Sequence, residues 1–242
     1  MISLFKKEVN SFLSSAIGYV SIIVFLLATG TFMWVFNGTS NIFDMGESSM
    51  ASFFVNAPNV FLFLIPAITM RLFSEENRTG TIELLLTKPI SDTKIILSKF
   101  LAGVFLVILA LIPTLFYYYS IHQMGKPIGN IDHAATWGGY IGLLLLGGVF
   151  VAIGLFTSSL FKNQVVSFMV SLIICYVFYL GFDAISSQFD APLDLLFQNI
   201  GIKSHYISIQ RGVLDSRDII YYLSMILFFL LLTRFSLQSR KW

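Results

Sequence analysis

The stretch Ala16–Phe36, AIGYVSIIVFLLATGTFMWVF, decides what kind of fold this chain can have. It runs for 21 residues without a charged side chain, and a helix needs about 20 apolar residues to cross a bilayer. The apolar core of a cleaved signal peptide is shorter, about 7–15 residues, so we predict a retained transmembrane helix. The composition agrees, because 56% of the residues are hydrophobic and 12% are charged, whereas soluble domains carry about 25% charged residues.

Further apolar segments follow along the chain. Backbone that crosses lipid must satisfy its own hydrogen bonds, and these segments do not alternate as barrel strands do, so each is predicted to be a helix. We therefore predict a single all-α integral membrane domain over residues 1–242 with six transmembrane helices. The predicted spans cover about 16–36, 57–72, 98–119, 137–161, 165–183 and 218–236.

The distribution of Lys and Arg predicts the orientation of the chain. Eleven of these residues lie on the side of the two termini and four on the other side, out of 15 in all. Because positive charge is enriched in cytoplasmic loops, we expect both termini and loop 73–97 to be cytoplasmic. The remaining long connection, segment 184–217, would then be external. Its stretch LDLLFQNIGI is too short to span a membrane, so it is interfacial or re-entrant.

The first 14 residues predict an amphipathic helix lying on the inner leaflet of the membrane. Its apolar residues recur at helical spacing, namely Leu4, Phe5, Val9, Phe12 and Leu13. The residues expected to define this interfacial helix are Phe5, Lys6, Lys7 and Glu8. The alternative is a frayed tail.

The ionisable residues avoid the middle of the predicted spans. Arg71, Lys99, Asp183 and Arg234 lie at or beyond the span ends. Proton-driven transporters usually place ionisable groups inside the membrane, and an ion channel needs a polar lining. The spans show only scattered Ser and Thr. This pattern argues against both classes, and it fits an apolar or lipid-linked cargo, or no cargo.

The chain also lacks the residues for its own catalysis. It has no GxxxxGK[ST] phosphate-binding loop, and its three histidines fall in predicted loops. The lone cysteine, Cys175, lies in an apolar run and can form no disulfide within the chain. We predict no enzyme activity, no metal site and no directly bound cofactor. A net charge of +2 gives no support for nucleic-acid binding.

Loop 73–97 contains a short predicted helix between two spans. Ser74 is expected to cap a first helix, and Gly80 to interrupt it. A second helix, TIELLLTK, would begin at Thr81 and end before Pro89. Its apolar face would be formed by Ile82, Leu85 and Leu86. Such a helix suits docking into a groove of a partner, or alternatively lies on lipid.

The stretch Met70–Gly103, MRLFSEENRTGTIELLLTKPISDTKIILSKFLAG, resembles the corresponding loop of six-span ABC exporter permeases of the second class. The chain is most similar to the gliding-motility-associated members of that family. The resemblance implies that this loop is a coupling helix that contacts a cytoplasmic ATPase subunit carrying ATP and Mg. The residues matching the family pattern at this contact are Glu76, Gly80, Thr81, Glu83, Leu84, Leu85, Leu86 and Pro89.

The resemblance further implies a second permease, or a larger membrane subunit with an extracytoplasmic domain, and a location in the bacterial inner membrane. Two functions remain open. The chain is either the permease half of an ATP-driven exporter, or a membrane adaptor that uses the ATPase contact for assembly or force transmission. In the fourth span, the pair Gly138 and Gly142 fits a close helix crossing, either between subunits or within one.

Overall fold

The computed structural model describes residues 1–82 and 91–239, and every regular element in these ranges is helical. A 3₁₀ turn covers Ile112–Thr114, and a π-helical turn covers Val177–Gly181. The helices are α1 (Ile2–Leu13), α2 (Ala16–Trp34), α3 (Ile42–Met45), α4 (Ala51–Thr69), α5 (Arg71–Thr79), α6 (Asp92–Leu111), α7 (Leu115–Met124), α8 (His133–Leu160), α9 (Gln164–Tyr176), α10 (Phe182–Ser186), α11 (Leu193–Ile200), α12 (Ile202–Gln210) and α13 (Ser216–Gln238).

The predicted all-helical membrane architecture is confirmed in its broad form. By length and composition, five helical segments of the described chain can cross a membrane. They are Ala51–Thr79, Asp92–Met124, His133–Leu160, Gln164–Ser186 and Ser216–Gln238. The pair Ile2–Leu13 and Gly18–Trp34 passes the same test only when taken together, and it is bent by 65°. The chain therefore has five such segments, or six if the bent pair is one span.

The helices extend past the predicted span ends. Helix α4 begins at Ala51, before the predicted span limit near residue 57, and α6 begins at Asp92, before the span limit near residue 98. Hydropathy follows the apolar part of a helix, whereas the backbone hydrogen bonds that define the helix continue through polar residues at its ends. The apolar pattern therefore predicted the existence of these helices better than their limits.

Helix α8 lies at the centre of the bundle and is the most buried of the long helices. Its glycines let neighbouring helices approach closely. A Cβ at Gly147 would lie 2.8 Å from Val107 Cγ1 of α6, and one at Gly154 would lie 1.9 Å from Thr69 Oγ1 of α4. The small residues of this helix therefore determine where α4 and α6 cross it.

The close crossing predicted at Gly138 and Gly142 occurs within the chain. A Cβ at Gly138 would lie 2.5 Å from the carbonyl oxygen of Ile209, and one at Gly142 would lie 3.2 Å from the Tyr206 ring. Both contacts come from α12. The glycine pair thus seats part of segment 184–217 against the central helix.

Tyr206 also supports a proline in α4. Proline has no backbone N–H, so the carbonyl oxygen of Phe54, four residues before Pro58, loses its usual helical donor. The buried Tyr206 hydroxyl donates to this oxygen at 2.7 Å. Burial raises the pKa of Tyr206 well above its usual range, so the hydroxyl keeps the proton it donates.

Segment 184–217 is divided between an exposed helix and a docked one. No residue of α11 is buried, and its Leu195 and Leu196 are exposed. In α12, by contrast, Ile202, Tyr206 and Ile209 are buried. The interfacial or re-entrant position of LDLLFQNIGI stays a prediction.

Candidate functional site

The candidate site lies where α1, α5 and the start of α6 meet, at the bundle end that carries loop 73–97. Its centre is Lys99, whose side chain is 1% exposed. The ammonium group lies 3.1 Å from Glu8 Oε1 and 3.1 Å from Glu76 Oε1, and it donates to the carbonyl oxygen of Leu72 at 2.6 Å. These oxygens can accept all the N–H groups of a lysine. Lys99 thereby connects α6 to α5 and, across 91 positions, to α1.

A second cation joins this group from α1. Lys7 Nζ lies 3.5 Å from Glu76 Oε1 and 3.8 Å from Glu8 Oε1. We call Lys7, Glu8, Glu76 and Lys99 the Lys99 cluster. Two formal positive charges meet two formal negative charges there, which is the condition under which buried charges are tolerated.

The cluster borders a cavity of about 140 Å³ that is also lined by Arg71 and Glu75. Arg71 Nε lies 3.4 Å from Glu75 Oε2, and its Nη1 donates to Ser15 Oγ at 3.1 Å. Ser15 stands between α1 and α2. Arg71 therefore adds a second polar connection between α5 and the N-terminal part of the chain.

The start of α5 is held by a side chain from the central helix. The backbone N–H groups of Phe73 and Ser74 donate to Ser158 Oγ at 2.7 and 3.0 Å, and Ser158 donates to the carbonyl oxygen of Met70 at 3.2 Å. The predicted cap at Ser74 is therefore wrong. Helix α5 already begins at Arg71, and the Ser74 hydroxyl bonds back to Met70 inside the helix.

The structure places the predicted coupling residues in different situations. Glu76 points inward to Lys99, and its Oε2 is buried with no hydrogen-bond partner among residues 1–82 and 91–239. Gly80 ends α5 with a φ of +72°, so the predicted interruption there is confirmed. The Thr81 hydroxyl lies 2.9 Å from the Thr79 hydroxyl. Outside the described residues lie Glu83, Leu84, Leu85, Leu86 and Pro89.

The first residues form a helix, α1, rather than a frayed tail. Phe5 packs edge-on against Phe105 of α6 with ring centroids 5.9 Å apart, and Lys6 is exposed. Glu8 is buried in the Lys99 cluster. The side of α1 that carries Glu8 thus faces protein, and its placement on the inner leaflet stays a prediction.

Sequence reasoning placed Lys99 at the boundary of a span and assigned it no partner. In the structure it is the eighth residue of α6, fully buried beneath α1 and α5. The sequence contained only a weak indication that Lys99 has charged partners. Glu8 is the one acidic residue of α1, and Lys99 lies in an apolar stretch of α6, so each needs a countercharge when buried.

The predicted lack of polar groups beyond Ser and Thr in the spans is wrong for α4. Asn59 lies near the middle of α4, on an exposed stripe with Val55 and Phe63. Its side-chain amide donates to the carbonyl oxygen of Val55 at 3.1 Å. An amide on the outer face of a transmembrane helix is a common point of contact with another helix.

The comparison with known proteins supports the reading of the chain as a transporter subunit. No curated protein matches the chain. A family model described as ABC-2 family transporter protein matches residues 2–233. This match confirms the predicted ABC permease resemblance at family level, and together with the apolar helices it indicates a multi-pass membrane protein. The chain belongs to the ABC-2 family of transporter proteins.

Proposed function

We propose that this chain is the membrane-spanning permease subunit of an ATP-driven ABC transporter and that loop 73–97 receives the motion of a partner ATPase. The observation that carries the proposal is the Lys99 cluster. It joins α5, which enters the loop, to α6, which leaves it, and to α1. A displacement of residues 83–90 would then move α1, α5 and α6 together.

The proposed mechanism assigns binding chemistry to the partner and mechanical coupling to this chain. ATP and Mg would be held by the ATPase subunits, whose approach to each other displaces the coupling helix. On this chain, Ser158 would pass the motion of α5 to the central helix α8. Lys99 would pass it to α1 and α6. The residues would act by position, without forming or breaking covalent bonds.

We further propose a second membrane subunit against the exposed face of α4. Asn59 supports this, because an amide facing lipid is less favourable than one that finds a partner across a helix interface. The sequence resemblance to GldF, the permease of a gliding-motility-associated ABC transporter, favours a larger partner with an extracytoplasmic domain. It also favours a role in export, or in gliding or envelope machinery. Location in the bacterial inner membrane with cytoplasmic termini belongs to this proposal.

Purification of the tagged chain from its own membranes tests the ATPase contact. We expect a soluble ATPase to accompany the wild-type chain in stoichiometric amounts and to be lost from the Glu83→Lys and Leu85→Glu variants, since both changes fall on the proposed contact helix. Quantitative mass spectrometry measures the ratio. Glu47→Lys, an exposed residue far from that loop, is the matched control.

The outcomes separate the two functions. Retention of the ATPase by both loop variants would contradict the contact. If the contact holds, the ATPase rate of reconstituted complexes distinguishes a transporter from an adaptor. An ATPase rate that changes with an added candidate cargo supports transport, and a competent ATPase indifferent to every candidate favours the adaptor.

The proposed orientation predicts a labelling pattern. A cysteine at Arg78 should react with a membrane-impermeant thiol reagent only after the cells are opened, and one at Asp190 should react in intact cells. Both sites are exposed in the structure, and the native Cys175 is buried and should give little background. The reverse pattern would overturn the orientation. The measurement is the labelled fraction of each variant before and after lysis.

A further inference from the structure

A second polar cluster lies at the opposite end of the described bundle, around His205 of α12. Its Nδ1 lies 2.7 Å from Asp218 Oδ1 of α13, and its Nε2 lies 3.0 Å from the carbonyl oxygen of Asn199 in α11. The imidazole stacks on the Tyr221 ring with centroids 3.9 Å apart and the ring planes 19° from parallel. One side chain thus joins three helices.

The partners of the imidazole determine how many hydrogens it carries. A carboxylate and a backbone carbonyl both accept hydrogen bonds and cannot donate. If both ring nitrogens donate to these two acceptors, the ring holds two N–H groups and a positive charge. The carboxylate of Asp218, which is 6% exposed, supplies the countercharge. The face of Tyr221 is a further favourable neighbour for a cation.

Further side-chain contacts surround His205 where α11, α12 and α13 meet. The Tyr221 hydroxyl donates to the carbonyl oxygen of Ile200 at 2.5 Å. The buried Tyr222 hydroxyl donates to the carbonyl oxygen of Ile202 at 3.5 Å. On the same helix as His205, Lys203 pairs with Asp183 at 2.6 Å. Tyr179 packs edge-on against Tyr206, with ring centroids 6.5 Å apart.

We propose that His205 is a pH-sensitive clasp that holds segment 184–217 against the start of α13. The closed arrangement binds one more proton than a released segment with a neutral imidazole. By linkage, lower pH favours the closed state and higher pH favours release. A neutral ring can donate from only one nitrogen, so it must give up either Asp218 or the Asn199 carbonyl. Histidine is the side chain whose charge ordinarily changes near neutral pH.

The release would reach the body of the protein through α12. This helix carries both His205 and Tyr206, and the Tyr206 hydroxyl supplies the donor that Pro58 cannot give to Phe54 in α4. Loosening α12 would also loosen its contact with the glycines of α8. The clasp therefore couples the proton concentration on its side of the membrane to two of the long helices.

Nitrogen NMR of the full chain in liposomes, with ¹⁵N-labelled histidine side chains, tests the proton count. The His205 signal is assigned by its loss in His205→Gln. We expect two N–H nitrogens at about pH 6 and a single one at about pH 9. In Asp218→Asn the second N–H should be lost at a lower pH than in the wild-type chain, because the countercharge is gone. A ring with one N–H at the lower pH, or one unaffected by Asp218→Asn, would overturn the proposal.

A spin label at Leu196, an exposed residue of α11, tests the release. We expect its mobility to increase at least twofold as the His205 signal loses its proton. His205→Gln should be mobile at both pH values, and His122→Gln should behave like the wild-type chain. Equal mobility of the wild-type label at both pH values would contradict the clasp, even if the ring titrates.

Discussion

Lys99→Met is expected to destabilise the chain by about 3–5 kcal/mol, the cost typical of removing one partner from a buried ion pair. Lys99 is 1% exposed and lies 3.1 Å from each of two carboxylates, Glu8 and Glu76. Without the ammonium group, these carboxylates would repel each other in a buried site, with Lys7 as the remaining cation. Thermal unfolding of the purified chain in detergent measures the loss.

Two control variants separate the charge from the packing. Lys94→Met makes the same change at an exposed position of α6 and should leave the unfolding temperature almost unchanged. The triple variant Glu8→Gln, Glu76→Gln and Lys99→Met removes all the buried charges together, so it should recover much of the stability. If Lys99→Met unfolds at the same temperature as Lys94→Met, the Lys99 cluster does not hold the three helices together.

Gly154→Ala is expected to destabilise the crossing of α8 and α4 by about 1–3 kcal/mol, the usual cost of overpacking. The added Cβ would lie 1.9 Å from Thr69 Oγ1 and 2.6 Å from Thr69 Cβ. Thr69 is fully buried, and its hydroxyl donates to the carbonyl oxygen of Ile65 at 2.8 Å. A short branched side chain in this position cannot move aside, so the two helix backbones must separate.

Gly148→Ala provides the matched control on the same helix. Among the described residues, its added Cβ would come closest to Ile226 Cδ1, at 3.1 Å, the far end of a flexible side chain. We expect this variant to unfold within a few tenths of a kcal/mol of the wild-type chain. Equal losses for Gly148→Ala and Gly154→Ala would mean that the contact with Thr69 does not cause the effect.

Much of the architecture was predictable because the relevant signals are local. An apolar run long enough to cross a bilayer must become a helix, since lipid offers no partner for free backbone groups. Gly80 ends α5 where the sequence placed an interruption. The family resemblance came from a contiguous stretch of residues in loop 73–97.

The candidate site depended on contacts between residues far apart in the chain. Lys99 meets Glu8 across 91 positions, and Ser158 accepts the N–H of Phe73 across 85 positions. Tyr206 supplies the donor missing at Pro58 from 152 positions beyond Phe54. Hydropathy and capping patterns report what a residue needs, such as a countercharge or a hydrogen-bond donor. The sequence by itself determined the membrane helices and which groups require a countercharge or a hydrogen-bond donor. Only the packing of the helices decided which distant residue supplies it.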